Sequence, residues 1–400
     1  MTERNRMSDL RGVTGLAKDA VIGLADIVEA MHKSIGQRPA ILGGPVPGKT
    51  RGITGFVYRS IRTITSLTGR GLDAVLEQML PLVKDSSASP DKEAVLSALN
   101  GVLGDYLAEK GNPLAISMSF RVKGIRLDLG QKIPADLIAN AGSRILICVH
   151  GLCMNDLQWN QEGHDHGSAL ASDLSYSPVY LRYNSGRHIS ENGRDFASLL
   201  ESLLSAWPVD VTELTLLGHS MGGLVIRSAL HYGAESRQSW IQKVKKVIFL
   251  GTPHYGAPME KGGNWLHLLL GVSPYTIPFA RLARIRSAGI TDLRHGNVVD
   301  EDWAGTDRFG HNDDRRKPVP LPSGVSCYAI AVSSAEKESE LKTAIVGDGL
   351  VLVDSALGRH KDPDLTLKFP SENIWLGYGI NHFRLLGDAT VYEKIRQWLD

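Results

Sequence analysis

Residues 214–227 have the sequence LTLLGHSMGGLVIR, in which a Gly-x-Ser-x-Gly motif stands between two apolar runs. The first run predicts a buried strand and the second predicts a helix, so the motif forms the turn between them. Glycines at 218 and 222 remove the side chains that would collide across such a sharp turn. The stretch therefore predicts that Ser220 presents a nucleophilic hydroxyl at the end of a sheet, over the N-terminus of a helix.

Short apolar segments alternate with helical segments on both sides of this motif. Continuous apolar strands separated by helices are typical of a parallel sheet that is buried on both faces. Lys123 and Gly124 predict a hairpin between the first two strands. We therefore expect an α/β domain over residues 111–400, with strands at 116–122, 125–129, 144–150, 178–183, 214–218, 244–251, 326–332 and 373–378.

The first 110 residues differ from this pattern, because their apolar residues recur every three or four positions and predict an N-terminal helical region. Residues 30–72 contain seven basic residues and no acidic one: Lys33, Arg38, Lys49, Arg51, Arg59, Arg62 and Arg70. A basic amphipathic helix can lie in an anionic membrane interface. The segment predicts either a membrane- or polymer-binding surface or a solvated helix face packed on the main domain.

Composition restricts the class of protein. The 400 residues carry 44 Lys and Arg against 43 Asp and Glu, a formal charge of +1, which disfavours a nucleic-acid-binding protein. Three cysteines are too few for a disulfide framework, and no uninterrupted apolar run reaches the length of a transmembrane helix. Lys18 and Asp19 interrupt the only apolar stretch that could belong to a signal peptide. We expect a cytoplasmic protein, or one peripheral to a membrane.

A nucleophilic serine needs a base and an acid that orients the base. His382 follows the last predicted strand directly and precedes the closing helix, which is where a base would reach Ser220. Asp348 lies between two glycines in a loop after the strand at 326–332, and those glycines allow the backbone to aim its carboxylate. Asp354, in the same region, is the alternative acid.

An oxyanion hole also requires two inward-pointing N–H groups. One should come from Met221, the residue after the nucleophile, and the other from Leu152, after Gly151 at the end of an earlier strand. His150 is expected to bind loop backbone rather than to take part in the chemistry. His254 is expected to line the pocket.

Five motifs in order resemble those of α/β-hydrolase superfamily esterases and lipases: VHGL at 149–152, GHSMG at 218–222, GTPHYG at 251–256, GDGLV at 347–351 and NH at 381–382. The chain is most similar to the branch with bacterial true lipases and GPI inositol-deacylase-like esterases, over roughly residues 114–400. The resemblance implies a triad of Ser220, Asp348 and His382, with Leu152 and Met221 as oxyanion donors.

The activity implied is that of a serine carboxylic ester hydrolase without a cofactor, acting on an ester with an apolar acyl chain. The same triad would serve a thioesterase, an acyltransferase or a polyester depolymerase, and a non-catalytic binding protein on this scaffold is a further alternative. True lipases of this kind often have an aspartate for calcium two residues after the catalytic histidine. Here that position is Arg384, and no metal is expected.

An insertion at about 256–321 stands where such enzymes carry a lid. Its apolar residues, from Trp265 to Phe279, predict a helix over the pocket or a packed cap that never opens. The charged stretch 300–316 predicts a solvated rim. His164 and His166 form a His-x-His pair, but further metal ligands at a recognisable spacing are missing.

Overall fold

A computed structural model describes residues 76, 90–134, 138, 141–257, 287–305, 316–336 and 347–400. All eight predicted strands form, with ends that differ by a few residues from those expected. They are β1 (Ser119–Val122), β2 (Ile125–Arg126), β3 (Arg144–Val149), β4 (Ser177–Arg182), β5 (Glu213–His219), β6 (Val244–Leu250), β7 (Ser326–Ser333) and β8 (Ile374–Tyr378).

Helices alternate with these strands. They are α1 (Pro90–Glu109), α2 (His166–Leu174), α3 (Ile189–Ala206), α4 (Met221–Glu235), α5 (Ala288–His295), α6 (Val353–Ala356) and α7 (Ala389–Leu399). Short 3-10 turns occur at Asp156–Trp159, Ser239–Lys243, Asp300–Asp302, Ser371–Asn373 and Arg384–Leu386.

The strands form one sheet in the order β2-β1-β4-β3-β5-β6-β7-β8. Strands β3 to β8 pair in parallel, whereas β1 pairs antiparallel with both β2 and β4. Because the carboxyl ends of parallel strands share one edge, the loops after β3, β5, β6, β7 and β8 all begin there. The fold is that of an α/β hydrolase, which confirms the predicted mostly parallel sheet with helices on both faces. The lid and the N-terminal helical extension stay predictions.

Helices cover both faces of this sheet because alternate strand residues point to opposite sides. Leu146 and Leu217 belong to an apolar cluster that includes Leu170 of α2 and Ile395 of α7. Gly218 points to the other face, where Ile226 of α4 packs against it. Both faces of the sheet are therefore buried against apolar side chains. Each buried Leu or Ile contributes on the order of 2 kcal/mol to folding.

The chain divides into two compact units, and the second of these contains all eight strands. In the described part of the first unit, the buried Asn100 of α1 holds the chain that follows the helix. Its amide donates to the carbonyl of Leu114 at 2.8 Å and accepts from the N–H of Ile116 at 2.8 Å. The division at residue 110 stays a prediction, and the basic segment 30–72 lies outside the described residues.

The insertion at 256–321 is described only in part, and the apolar residues 265–279 lie outside that part. In the described part of the insertion, Asp302 contradicts the expectation that residues 300–316 form a solvated rim, because its side chain is buried. Its carboxylate accepts N–H groups from Val298, Val299 and Lys317 at 2.7–3.1 Å, so backbone donors replace the lost water. No helix within the described ranges is long and apolar enough to cross a membrane.

Candidate active site

The turn between β5 and α4 holds Ser220 in an unusual backbone conformation. Its φ is 54° and its ψ is −125°, a region that non-glycine residues rarely adopt and that stores strain. Its N–H donates to the carbonyl of Leu250 at the end of β6, at 2.8 Å. The hydroxyl of Ser220 is therefore carried at the shared edge of the sheet, as the sequence predicts.

This turn leaves no room for side chains at its glycines. A Cβ atom at Gly222 would lie 2.2 Å from the carbonyl oxygen of Val149, and one at Gly218 would lie 2.7 Å from the nitrogen of Gly223. Both obstacles are backbone atoms, which cannot rotate away as the end of a side chain could. The glycines therefore allow α4 to approach β3 and β5 closely.

Replacing Gly222 with alanine should lower the free energy of unfolding by about 3 kcal/mol or more, because the added methyl group forces α4 away from β3. Urea unfolding monitored by tryptophan fluorescence would measure the loss. Gly130→Ala is a comparison outside this turn, because the nearest atom to a Cβ built at Gly130 is a side-chain oxygen of Asp128, at 3.2 Å. An equal stability for Gly222→Ala and the wild type would contradict the close approach described here.

Asp348 and His382 form a buried pair across two loops. The Nδ1–H of His382 donates to Oδ2 of Asp348 at 2.6 Å, and both side chains are 1% exposed. The N–H of His382 also donates to the carbonyl of Asp348 at 3.2 Å, so the two loops are joined twice. With Nδ1 occupied in this way, Nε2 is the ring atom left to accept a proton.

The loop around Asp348 orients its carboxylate independently of His382. Oδ1 accepts the N–H groups of Leu350 and Val351 at 3.0 and 2.8 Å, which leaves Oδ2 for the ring. Asp354, the alternative acid, has a side chain that is 74% exposed, and Arg359 binds it at 3.4 Å. Of the two carboxylates, only Asp348 contacts His382.

Ser220 and His382 both lie next to the carboxyl end of β6. A Cβ atom at Gly251, directly after that strand, would lie 3.3 Å from Cε1 of His382 and 3.2 Å from Oδ2 of Asp348. Ser220 is hydrogen-bonded to Leu250, the residue before. Within the described residues no hydrogen bond joins the Ser220 hydroxyl to the ring, and Nε2 is buried without a partner.

Two further histidines support the loop of His382, a role that no local sequence motif indicates. Nε2 of His219 lies 3.2 Å from the carbonyl of His382, and the rings are 4.8 Å apart. Nε2 of His166 lies 2.8 Å from the carbonyl of Leu385, just beyond. Neither contact has a local sequence signal, because each joins residues more than 160 positions apart.

The predicted oxyanion donors lie at the same edge. Leu152 follows β3 and Met221 opens α4, where the first N–H groups have no partner inside the helix, and both side chains are buried. Nδ1 of His150 lies 2.8 Å from the carbonyl of Gly151. Because a peptide group is planar with its C=O and N–H opposed, this bond turns the Leu152 N–H away from the His150 ring.

His150 itself is held on its other side by Tyr183. The two rings stack at 4.3 Å, and the Tyr183 hydroxyl donates to the His150 carbonyl at 2.8 Å. Burial lowers the pKa of His150 to about 3, so the ring is neutral. These contacts agree with the expectation that His150 binds loop backbone.

Buried neutral histidines should make the fold acid-sensitive. Burial lowers the pKa of His166 to about 4, below its unfolded value of about 6.5. The contribution of His166 to the free energy of unfolding is therefore fully present above pH 6.5. It decreases as the pH falls towards 4, because the unfolded chain binds the proton more readily. Each such histidine contributes about 1.4 kcal/mol per pH unit.

His166→Gln should reduce the slope of unfolding free energy against pH by about that amount between pH 4 and 6.5. Urea unfolding at a series of pH values measures both slopes. Parallel curves for the variant and the wild type would show that His166 does not titrate on unfolding in this range.

In the part of the chain that is described, no group of three or more His, Cys, Asp or Glu side chains could hold a metal ion. Nε2 of His164 lies 2.8 Å from Nδ1 of His166, so the two rings bind each other. Arg384, at the calcium position of true lipases, pairs with Asp388 at 3.4 Å. None of the three cysteines forms a disulfide, and all are buried: Cys148, Cys153 and Cys327.

One family model matches part of the chain. Residues 145–340 match the family model described as a PGAP1-like alpha/beta domain. No curated protein matches the chain.

Several solved structures are similar in part. The mature lipase BlEst2 of Bacillus licheniformis is 17% identical, with a TM-score of 0.40 over 71% of this chain and 98% of that one. Lipase B of Aspergillus fumigatus is 11% identical, with a TM-score of 0.40 over 92% of this chain and 83% of that one. The Pyrococcus furiosus esterase Pf2001 is 13% identical, with a TM-score of 0.36 over 65% and 81%.

Proposed function

We propose, from the premise that this chain is an α/β hydrolase, that it is a serine carboxylic ester hydrolase whose triad is Ser220, Asp348 and His382. The observation that carries the proposal is the buried pair of Asp348 and His382, which leaves Nε2 without a partner beside the strand end that binds Ser220. In a triad of this kind a carboxylate on Nδ1 holds the ring in one tautomer and orientation, so that Nε2 can accept and return a proton.

The first half of the reaction forms an acyl-enzyme. Nε2 of His382 takes the proton of the Ser220 hydroxyl while Oγ attacks the ester carbonyl carbon. The carbonyl oxygen gains negative charge and accepts the N–H groups of Leu152 and Met221. Each such donor typically lowers the barrier by about 3 kcal/mol. His382 then gives its proton to the departing alkoxide, which leaves as the alcohol.

The second half repeats these steps with water. His382 takes a proton from a water molecule, whose oxygen attacks the acyl carbon, and then returns the proton to Oγ of Ser220. Asp348 stays ionised throughout and stabilises the imidazolium that forms twice in each turnover. The charge on the ring is thus balanced where solvent is excluded.

An activity profile tests the substrate class. The purified chain should hydrolyse nitrophenyl esters, and a series from short to long acyl chains, with emulsified triglyceride and a polyester, should show the length it accepts. Equivalent acyl thioesters and added acceptor alcohols distinguish a thioesterase or an acyltransferase. If a fluorophosphonate probe fails to label Ser220 and no ester is turned over, the non-catalytic alternative is favoured instead.

We further propose that the basic segment 30–72 brings the enzyme to an anionic lipid surface. Neutralising Arg59, Arg62 and Arg70 to glutamine in the full chain should weaken co-sedimentation with anionic liposomes about a hundredfold, since each charge contributes about 1 kcal/mol near the surface. The matched control neutralises three exposed lysines of the described domain: Lys243, Lys245 and Lys361. Equal binding by both variants would contradict the proposal.

A further inference from the structure

We propose that Ser185 is a positioning residue for ester hydrolysis, because its hydroxyl holds the chain segment that presents the Leu152 N–H to the oxyanion. Ser185 lies three residues after β4, and its side chain is buried. Its Oγ accepts the N–H of Cys153, the residue after Leu152, at 3.0 Å. This role rests on the proposed function, and it adds a residue to the triad and its two oxyanion donors.

The Leu152 N–H belongs to a peptide group that lies beside the nucleophile. A Cβ atom built at Gly151, the residue before, would be 3.1 Å from Cβ of Ser220. Leu152 is buried, and among the described residues no acceptor binds its N–H. Buried backbone donors are almost always paired, so an unpaired one next to a nucleophilic hydroxyl is available for a developing oxyanion.

The peptide group before Leu152 is held at its carbonyl end. The carbonyl oxygen of Gly151 lies 2.8 Å from Nδ1 of His150 and accepts the N–H of Met154 at 3.3 Å. These contacts leave the peptide group after Leu152 to be held from elsewhere. The hydrogen bond from Cys153 to Ser185 holds that second group, so both sides of Leu152 are fixed.

The backbone of Cys153 shows why this second hydrogen bond is needed. Its φ is 61°, in the left-handed region that favours glycine. A side chain persists in that region only where the surrounding structure holds it there. Without the acceptor at Ser185, Cys153 is free to relax towards negative φ, and Leu152, bonded directly to it, then moves from its place beside Ser220.

The chain around Ser185 is itself bound by α5. The N–H of Gly289 donates to the carbonyl of Gly186 at 3.0 Å, and a Cβ atom at Gly289 would lie 2.0 Å from the carbonyl oxygen of Ser185. Asp292, also on α5, accepts the N–H of Ile189 at the start of α3 at 2.8 Å. Ser185 is therefore an acceptor fixed by two helices, and it can hold a segment that is less constrained.

Ser185→Ala removes this acceptor. We expect kcat for nitrophenyl esters to fall about thirtyfold, less than the roughly hundred- to thousandfold loss on removing an oxyanion donor outright, because the Leu152 N–H is still present but less often in place. KM should stay within about twofold of the wild type, since this donor binds the transition state more strongly than the ester. Steady-state kinetics of the full chain, well below Tm, measures both.

An alkyl trifluoromethyl ketone tests the oxyanion directly. Oγ of Ser220 adds to its carbonyl carbon, the hydroxyl proton passes to His382, and the carbonyl oxygen becomes an oxyanion that accepts the Leu152 N–H. The inhibition constant of the ketone should rise in Ser185→Ala by the factor by which kcat falls. A purely structural role would lower the free energy of unfolding but leave the inhibition constant of the folded variant unchanged.

Ser177→Ala is the matched control, because Ser177 makes the same kind of contact at the other end of β4. Its buried Oγ accepts the N–H of Gly142 at 2.8 Å, at the edge of the sheet opposite Ser220. This variant loses an equivalent hydrogen bond and should keep the kcat and the ketone affinity of the wild type.

Two results would overturn the role of Ser185 and leave the proposed function intact. One is wild-type kcat and ketone affinity in Ser185→Ala, and the other is an equal loss of both in Ser177→Ala. A wild type that hydrolyses no ester and binds no ketone would instead overturn the proposed function, and the role of Ser185 with it.

Discussion

Ser220→Ala is expected to lower kcat for nitrophenyl ester hydrolysis by on the order of a millionfold, because the variant has no Oγ to form the acyl-enzyme. The proposed oxyanion donors, Leu152 and Met221, stay in place, so we expect a residual rate of about a thousandfold over the uncatalysed reaction. Steady-state kinetics would measure the loss, and mass spectrometry after fluorophosphonate treatment would show whether the acylated position is lost.

Ser228→Ala is the matched control for this variant. Ser228 lies two turns further along the same helix, and its buried hydroxyl has no hydrogen-bond partner in the described part of the chain. Removing that hydroxyl should leave kcat and labelling unchanged. Undiminished turnover in Ser220→Ala, with Ser228→Ala equally active, would exclude Ser220 as the nucleophile.

Asp348→Asn is expected to lower kcat by about ten-thousandfold with little change in the fold. The asparagine carbonyl oxygen can still accept the N–H groups of Leu350 and Val351. Its NH₂ group then faces Nδ1 of His382 and forces that atom to accept, which places the ring proton on Nε2. A protonated Nε2 cannot take the proton from Ser220, so the base is lost through the wrong tautomer.

Asp354→Asn separates the two acids that the sequence allows. It removes an exposed carboxylate that binds Arg359, and kcat should stay at the wild-type value. A large loss in Asp354→Asn with a normal rate in Asp348→Asn would transfer the role of the acid to Asp354. Circular dichroism and urea unfolding of both variants would show that the effects are catalytic.

The sheet was predictable because its strands are continuous apolar runs with few competing patterns. Periodicity sets the positions of β3 to β8, and the parallel arrangement follows from the helices between them. The exact ends of the strands were less predictable. Strand β2 is two residues long where five were expected. The N–H of Leu127 donates one further hydrogen bond to the carbonyl of Phe120, and the chain then leaves the ladder. Strand ends depend on such individual contacts.

Those parts of the candidate site that lie within a local sequence motif were predictable, whereas the contacts between distant loops were not. The glycines around Ser220 and Asp348 are visible in the sequence, but the choice between Asp348 and Asp354 depends on which loop residue faces His382. The contacts of His219 and His166 with the His382 loop could not be predicted, because a buried histidine in an apolar run resembles any core residue. Nor does the sequence show that Asp302 is buried, since a charged stretch is ordinarily solvated.

The backbone at Ser220 implies that stability and turnover oppose each other at this position. Glycine adopts a φ of 54° without penalty, whereas a side chain there costs on the order of 1–3 kcal/mol. Ser220→Gly should therefore melt at a higher temperature than the wild type while losing all turnover through an acyl-enzyme. A library selected for heat resistance alone would accumulate that inactive chain, so thermostable forms of this protein should be sought under simultaneous selection for hydrolysis.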